Sequence, residues 1–175
     1  MNMTDAQTVR ELADRQAITD LLYRYCRSMD RMDAELGYSI WHEDSIADYE
    51  GYYQGSGRGF IDAAFATHRR MLAHSHQISN ILIELDGDRA GSETYAVGTL
   101  RLMKGDQLRQ LTMWVRYIDE WSRRDGRWGI DKRVQITDFD EIRDVTAASA
   151  QQRTRRDASD RSYTVLTGAR RIFQA

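Results

Sequence analysis

Proline is absent from the 175 residues, and cysteine occurs once, at Cys26. A single cysteine excludes an internal disulfide and suits a reducing compartment. Without proline, turns must be read from glycine and aspartate alone. No apolar run approaches the roughly 20 residues of a membrane span. The opening MNMTDAQTVRELADR has neither a basic n-region nor an apolar h-region. These absences favour a cytoplasmic protein with no membrane partner. Charge of one sign is lacking too: 25 basic residues face 27 acidic ones, for a net charge of −2. That balance gives no electrostatic footprint for nucleic acid. The length suits one compact domain with a real core, and no repeat or second-domain linker is visible.

What is present is organised around LTMWVRYIDEWSRRDGRWGIDKRVQITD, Leu111–Asp138. Two β-rich runs flank Asp125-Gly126, the dipeptide preferred by a two-residue type I′ hairpin turn. Arg124 then lies opposite Arg127 and an unbroken register follows. One face carries Trp121/Ile130, Asp119/Lys132, Tyr117/Val134 and Val115/Ile136, a coherent set to bury. The other carries Glu120/Asp131, Ile118/Arg133, Arg116/Gln135 and Trp114/Thr137. Charges interleaved with Trp and Ile fit either the wall of a polar pocket or a solvated outer face.

Upstream, Thr4 or Asp5 caps a helix running to about Asp30, with Val9, Leu12, Leu21, Leu22, Tyr25 and Met29 on its buried face. Asp30 continues the row Ile18–Leu22–Cys26. A carboxylate there either needs a buried partner or sits at the helix end in water or as a cap. A short helix over Ala34–Trp41, a strand near Ile46–Tyr53 and a helix over Phe60–Ala73, with Leu72 on its apolar side, come next. The glycines of YEGYYQGSGRGF read as a turn, since no Walker lysine or βαβ unit accompanies them. Strands over His76–Leu85 and Ser92–Met103 lead into the hairpin. Helices first and antiparallel strands after indicate an α+β fold whose curved sheet encloses a pocket. The domain spans residues 1–140. Residues 141–175 form an extension, helical or mobile, whose cluster Tyr163, Val165, Leu166, Ile172 and Phe173 is a candidate lid.

Two constellations could carry chemistry. Period-two geometry puts His76, Ile78, Asn80 and Leu82 on one strand face. A histidine oriented by a carboxylate is a ready general base, so Asp30, His76 and Arg133 form the first candidate, with Arg133 stabilising developing negative charge. The alternative for His76 is a core histidine satisfied by hydrogen bonds. The second candidate, a metal at His74 and His76 with Asp30, lacks an HExxH or cysteine cluster, and no metal is expected. Cys26 lies on the buried stripe and reads as packing.

RQAITDLLYRYCRSMD ending at Asp30, SIWHED at Ser39–Asp44, HQISN at His76–Asn80 and RRDGRWGIDKR ending at Arg133 follow one another in order. On these motifs, from Arg15 to about Phe139, the chain resembles the SnoaL-like branch of the nuclear transport factor 2-like superfamily. Within it the likeness is to the scytalone dehydratase and hexachlorocyclohexane dehydrochlorinase group. The resemblance implies a cone-shaped α+β barrel, with a strongly bent antiparallel sheet around N-terminal helices. It also implies a His-Asp base that needs neither metal nor organic cofactor. His76 would be the base, Asp30 its orienting partner and Arg133 the group facing the leaving atom or oxyanion. Where the dehydrochlorinase has a lysine this chain has Tyr25, which argues against halide elimination and for an oxygenated, aromatic substrate. Tyr49, Trp114, Trp41 and Asn80 complete the expected substrate-binding set.

The leading expectation is therefore a cofactor-independent lyase acting on a small apolar, oxygenated molecule. It would expel water, or release an aldehyde by retro-aldol cleavage. An isomerase or polyketide-cyclase-like enzyme using the same base, and a non-catalytic binding or assembly module, are the alternatives. The resemblance also favours a homo-oligomer of three subunits over one of two.

Overall fold

The computed structural model describes residues 4–147 and 154–166. Helix α1 (Asp5–Arg31) starts from a reciprocal cap: the Gln7 amide donates to the Thr4 hydroxyl, and the Thr4 amide donates to the Gln7 side chain. This satisfies donors that a helix start otherwise leaves open. Ile18, Leu21, Leu22, Tyr25, Cys26 and Met29, spaced by threes and fours, are all buried. Val9 and Leu12 are instead 64% and 62% exposed. Asp14 is the first buried position on the helix, so the turns before it carry no core contact.

After α2 (Ala34–Tyr38), the expected strand near Ile46–Tyr53 resolves into two, β1 (Trp41–Tyr49) and β2 (Tyr53–Ser56). Glu50 and Gly51, both at positive φ, turn the chain between them. Helix α3 (Gly57–His68) begins on the Ser56 hydroxyl and stops at His68, five residues before the expected Ala73, leaving Leu72 exposed. Strands β3 (Ala73–Asp86), β4 (Arg89–Lys104), β5 (Gln107–Arg124) and β6 (Arg127–Asp144) follow. Strand β6 thus runs past the expected domain limit at residue 140. A short helix, α4 (Ser162–Val165), ends the described chain.

The six strands lie in the order β2-β1-β6-β5-β4-β3, in a strongly curved, open sheet that wraps the helices as a cone. The α+β cone is as expected; its pairing is not uniformly antiparallel. β1 pairs with β6 in parallel. A parallel neighbour needs a long crossover, and α3 with the four intervening strands β2 to β5 supplies it.

Two bulges decide which side chains face the interior. Asp125 and Gly126 turn the β5–β6 hairpin with φ of 51° and 77°, as a type I′ turn requires, and Arg124 pairs with Arg127. The register then slips between Glu120 and Trp121, leaving Asp131 unpaired. Beyond that point Asp119 lies opposite Arg133, not Lys132, because one extra residue on β6 moves the following side chains to the other face, until a further slip at Asp138. The β5 half of the expected inner face (Val115, Tyr117, Asp119, Trp121) is buried. Its β6 partners are Ile130, Arg133, Gln135 and Thr137, in place of Lys132, Val134 and Ile136. The second bulge is at Asn80 on β3, φ 45°, where the pairing passes from Ser79 to Ile81. Ile81, Ile83 and Leu85 therefore continue the inner face after Ile78, while Leu82 is 63% exposed.

The β6 bulge delivers a charge into the core. Arg133 and Asp119 have no exposed side-chain surface. Arg133 Nε donates to Asp119 Oδ1 at 2.6 Å and Nη2 donates to Oδ2 at 2.8 Å. The guanidinium lies 4.4 Å from the Tyr25 ring centroid and 4.3 Å from that of Tyr117. Removing one member of such a pair strands the other in a medium that cannot solvate it. Asp119→Ala is expected to destabilise the fold by about 3–5 kcal/mol, and the double variant Asp119→Ala/Arg133→Met to recover part of the loss. Chemical denaturation of both checks this; a loss below about 1 kcal/mol for Asp119→Ala would show the pair to be dispensable.

Candidate active site

Between α1, α3 and the inner face of the sheet lies a cavity of about 320 Å³, within the range of small-molecule sites. Its walls are apolar and aromatic: Met29, Phe60, Met71, Met113, Val115 and Tyr117, with Tyr25, Tyr49, His68 and His76 supplying polar atoms. The pocket wall is therefore the Val115–Tyr117 face of the hairpin. Gly98 on β4 opens space here, because a Cβ at that position would lie 3.2 Å from Met113 Cε and 3.7 Å from His76 Cδ2.

Helix α1 and strand β3 bring Asp30 and His76 together. Asp30 Oδ1 accepts from His76 Nδ1 at 2.8 Å, and the carboxylate also accepts the His76 backbone N–H at 3.0 and 3.1 Å. The carboxylate that the helix row pointed inward thus has its partner. With Nδ1 donating, Nε2 keeps the lone pair, and the imidazole lines the cavity. The side chains of His76 and Asp30 are 9% and 15% exposed, so the contact is shielded without being sealed.

Across the cavity the hydroxyls of Tyr25 and Tyr49 are hydrogen-bonded at 3.0 Å. Burial holds both phenols well above their ordinary value, so they stay protonated as O–H donors. Tyr49 stacks on Phe60 at 3.6 Å, and Tyr25 meets Tyr117 edge-on at 5.5 Å, which fixes both rings. Arg133 stands one layer behind, against the outer faces of Tyr25 and Tyr117, and does not line the cavity. Burial works against its charge, but Asp119 and the surrounding phenols outweigh burial, and the guanidinium stays protonated. The expectation that Arg133 faces a leaving group directly is not met: the tyrosines stand between it and the cavity.

Three expected binding residues lie elsewhere. Trp114 points outward and stacks on Phe139 at 4.7 Å, because it sits on the strand face opposite Val115. Trp41 is buried beneath the site, so close to α3 that a Cβ on Gly57 would lie 2.2 Å from its ring. Asn80 is the exposed residue of the β3 bulge. A left-handed position suits asparagine, and that is the role the structure gives it.

His68 escaped the sequence reading. It is the last residue of α3, buried, and part of the cavity wall. Its ring stacks on His74 at 4.4 Å and lies 5.5 Å from His76. Helix periodicity (Ala64, Phe65, His68) was the available signal, blurred by extending the helix to Ala73. His74 is not free to bind a metal through Nε2, which contacts the Met29 carbonyl at 2.9 Å. Among the described residues no group of three or more His, Cys, Asp or Glu is arranged to hold a metal ion.

The C-terminal extension returns to the domain along α1. Arg31 pairs with Asp160 at 2.9 Å, the Tyr163 hydroxyl donates to Asp33 at 2.9 Å, and Arg27 lies 4.6 Å from the Tyr163 ring centroid. Tyr163 therefore docks on the helix and not over the cavity. Ile172 and Phe173 of the expected lid lie outside the described residues. The extension reaches the site through Arg156, whose Nη1 donates to the His68 carbonyl at 2.8 Å.

Burial, reinforced by the imidazoles of His74 and His76 and by Arg156, pushes His68 down to about 3. The unfolded chain binds a proton at this side chain below its ordinary value of about 6.5, whereas the folded chain refuses it until about 3. Stability should therefore fall as pH drops from about 6.5 toward 3. His74, also lowered first by burial, acts in the same sense. Thermal melts at pH 7 and pH 4 should show a smaller acid loss for His68→Phe than for the wild type. Equal losses would show that His68 does not resist protonation in the folded state.

Residues 10–134 match the family model described as the SnoaL-like domain. No curated protein matches the chain in sequence. Among solved structures, a hexachlorocyclohexane dehydrochlorinase (LinA type 2) superposes with a TM-score of 0.71 at 22% identity, covering 83% of this chain and 98% of that one. A candidate scytalone dehydratase from Novosphingobium aromaticivorans superposes with 0.68 at 21%, covering 85% and 98%. The Kfla4162 protein of Kribbella flavida gives 0.69 at 19%, covering 75% and 95%. Likenesses at this identity speak for the fold. The family match runs from α1 through the buried arginine of β6, and the chain belongs to the SnoaL-like domain family.

Proposed function

We propose that the protein is a cofactor-independent lyase acting on a small apolar, oxygenated and aromatic substrate. The observation that carries this reading is the His76–Asp30 contact at 2.8 Å on the wall of an open, aromatic cavity. Asp30 holds the His76 ring in one tautomer and stabilises the imidazolium formed when Nε2 takes a proton. The Tyr25–Tyr49 hydroxyl pair donates to the oxygen on which charge develops. Arg133, behind Tyr25, fixes that ring and adds a positive field. His76 would take a proton from carbon with expulsion of water, or from a hydroxyl with release of an aldehyde by C–C cleavage. The structural likeness to a dehydrochlorinase and a candidate scytalone dehydratase supports elimination chemistry of this kind. The same base without a leaving group would serve an isomerase. A cavity left open by the surrounding side chains weighs against a purely structural module.

Chelator-treated protein, screened against aromatic diols and β-hydroxy carbonyl compounds with product mass spectrometry, is expected to show loss of water or of formaldehyde. Products of unchanged mass would replace the lyase reading with isomerisation. His76→Ala should lower turnover by at least about 10²-fold with the fold intact. Wild-type turnover in that variant would remove His76 from the mechanism.

We also propose a homotrimer. The outer sheet face carries Leu82, Tyr95 and the Trp114–Phe139 stack, with Phe139 59% exposed. An apolar patch of this kind marks an interface, and closed symmetry is the usual way to cover it. Light scattering should give a mass near three times the 20.3 kDa chain, reduced by Phe139→Glu. A monomeric wild-type protein would refute it.

A further inference from the structure

Three of the four histidines in the chain meet at one end of the cavity. The proposed mechanism uses His76 alone. His74 is committed to the Met29 carbonyl. His68 is different in lining the cavity beside His76; it is 7% exposed, and its buried Nδ1, like that of His74, has no hydrogen-bond partner among the described residues. Buried polar atoms are nearly always paired, and one left unpaired costs about 1–3 kcal/mol. Because this ring forms part of the cavity wall, a bound ligand can complete the hydrogen bonding of the imidazole.

The surroundings fix the form of this imidazole. Strand β3 sets His74 and His76 against it, and the extension brings Arg156 to its carbonyl. Asp30 of α1 lies beyond, engaged with His76. His68 thus faces two imidazoles and a guanidinium, and the nearby carboxylate is already taken. With its pKa pushed down to about 3, it is a neutral hydrogen-bonding group at neutral pH. The rest of the lining is equally free of cations: no lysine or arginine is among the described lining residues. Its one carboxylate, Glu50, accepts the Thr137 amide at 2.7 Å. Arg133 is bound to Asp119 behind the tyrosine wall.

We propose that His68 is a second substrate-contacting residue, a neutral imidazole that hydrogen-bonds an oxygen of the substrate next to the atom deprotonated by His76, and that the substrate is uncharged. This rests on the cavity's being the substrate site, as argued above. It adds a second anchor to the Tyr25–Tyr49 pair, and excludes carboxylates and phosphates as ligands.

The test uses full-length protein with ¹⁵N-labelled histidine. The few imidazole signals can be assigned with single His→Gln variants. Acetophenone and 1-phenylethanol serve as neutral probes and benzoate as the anionic one. The neutral probes are expected to shift the His68 and His76 signals, and benzoate neither. His68→Leu should bind acetophenone about tenfold more weakly, the equivalent of one hydrogen bond, with its backbone amide spectrum preserved. His68→Gln, which retains hydrogen-bonding atoms, should recover part of that loss. If His68→Leu proves unfolded, the probe-induced shift of His68 in the wild type decides. Unchanged acetophenone affinity in a folded His68→Leu, or a shift at His76 alone, would overturn the role of His68 while leaving the cavity reading intact. Benzoate binding as tight as acetophenone would overturn the uncharged-substrate assignment. No shift from any neutral probe would overturn the proposal together with the cavity reading beneath it.

Discussion

The ion pair between Arg133 and Asp119 is the constraint on which the rest depends. A guanidinium this deep must find its counter-charge and its aromatic flanks in one place, and two elements supply them: Asp119 and Tyr117 come from β5, Tyr25 from α1. Satisfying it therefore fixes the seat of α1 against the sheet. The seat of α1 in turn fixes where Tyr25 and Asp30 stand. The polar face of the cavity is thus a consequence of an interaction that lies outside it.

Polar work in the site is divided between two ends. At one, Asp30 gives the His76 ring a single orientation through both its side chain and its backbone amide. At the other, two phenols hold their protons because burial makes their anions too costly. Between them the walls are mostly Met, Leu, Phe and Val, with Thr67, Gln135 and Thr137 among the polar exceptions. Glu50 is the one carboxylate among the described lining residues, and it is held by the Thr137 amide. This is the arrangement expected of a site that lets an electrostatic effect act at low dielectric without solvent reorganisation.

Much of this was legible in the sequence, for identifiable reasons. Asp125-Gly126 announces its turn, because few residue pairs accept positive φ twice. Asp30 announces a partner, because a carboxylate on the row Ile18–Leu22–Cys26 has nowhere polar to go unaided. What could not be read were the bulges at Asp131 and Asn80. A bulge is a slip of one residue with no composition of its own, yet it exchanged Lys132 for Arg133 as the inward neighbour of Asp119. It also removed Asn80 from the cavity face. Trp114 was misplaced for a related reason: alternation gives two faces, and not which of them is concave. His68 was hidden by the end of a helix, where periodicity stops informing.

Gly98 is a side chain that is not there, and the cavity owes its breadth beside His76 to that absence. The first atom a methyl group would meet is the terminal carbon of Met113, which can swing aside, and the imidazole edge comes next. Substitution here would therefore be absorbed by the open space and not by the frame. Position 98 acts as a caliper: side chains added here would narrow the cavity one carbon at a time, leaving the His76–Asp30 contact and the buried charge in place.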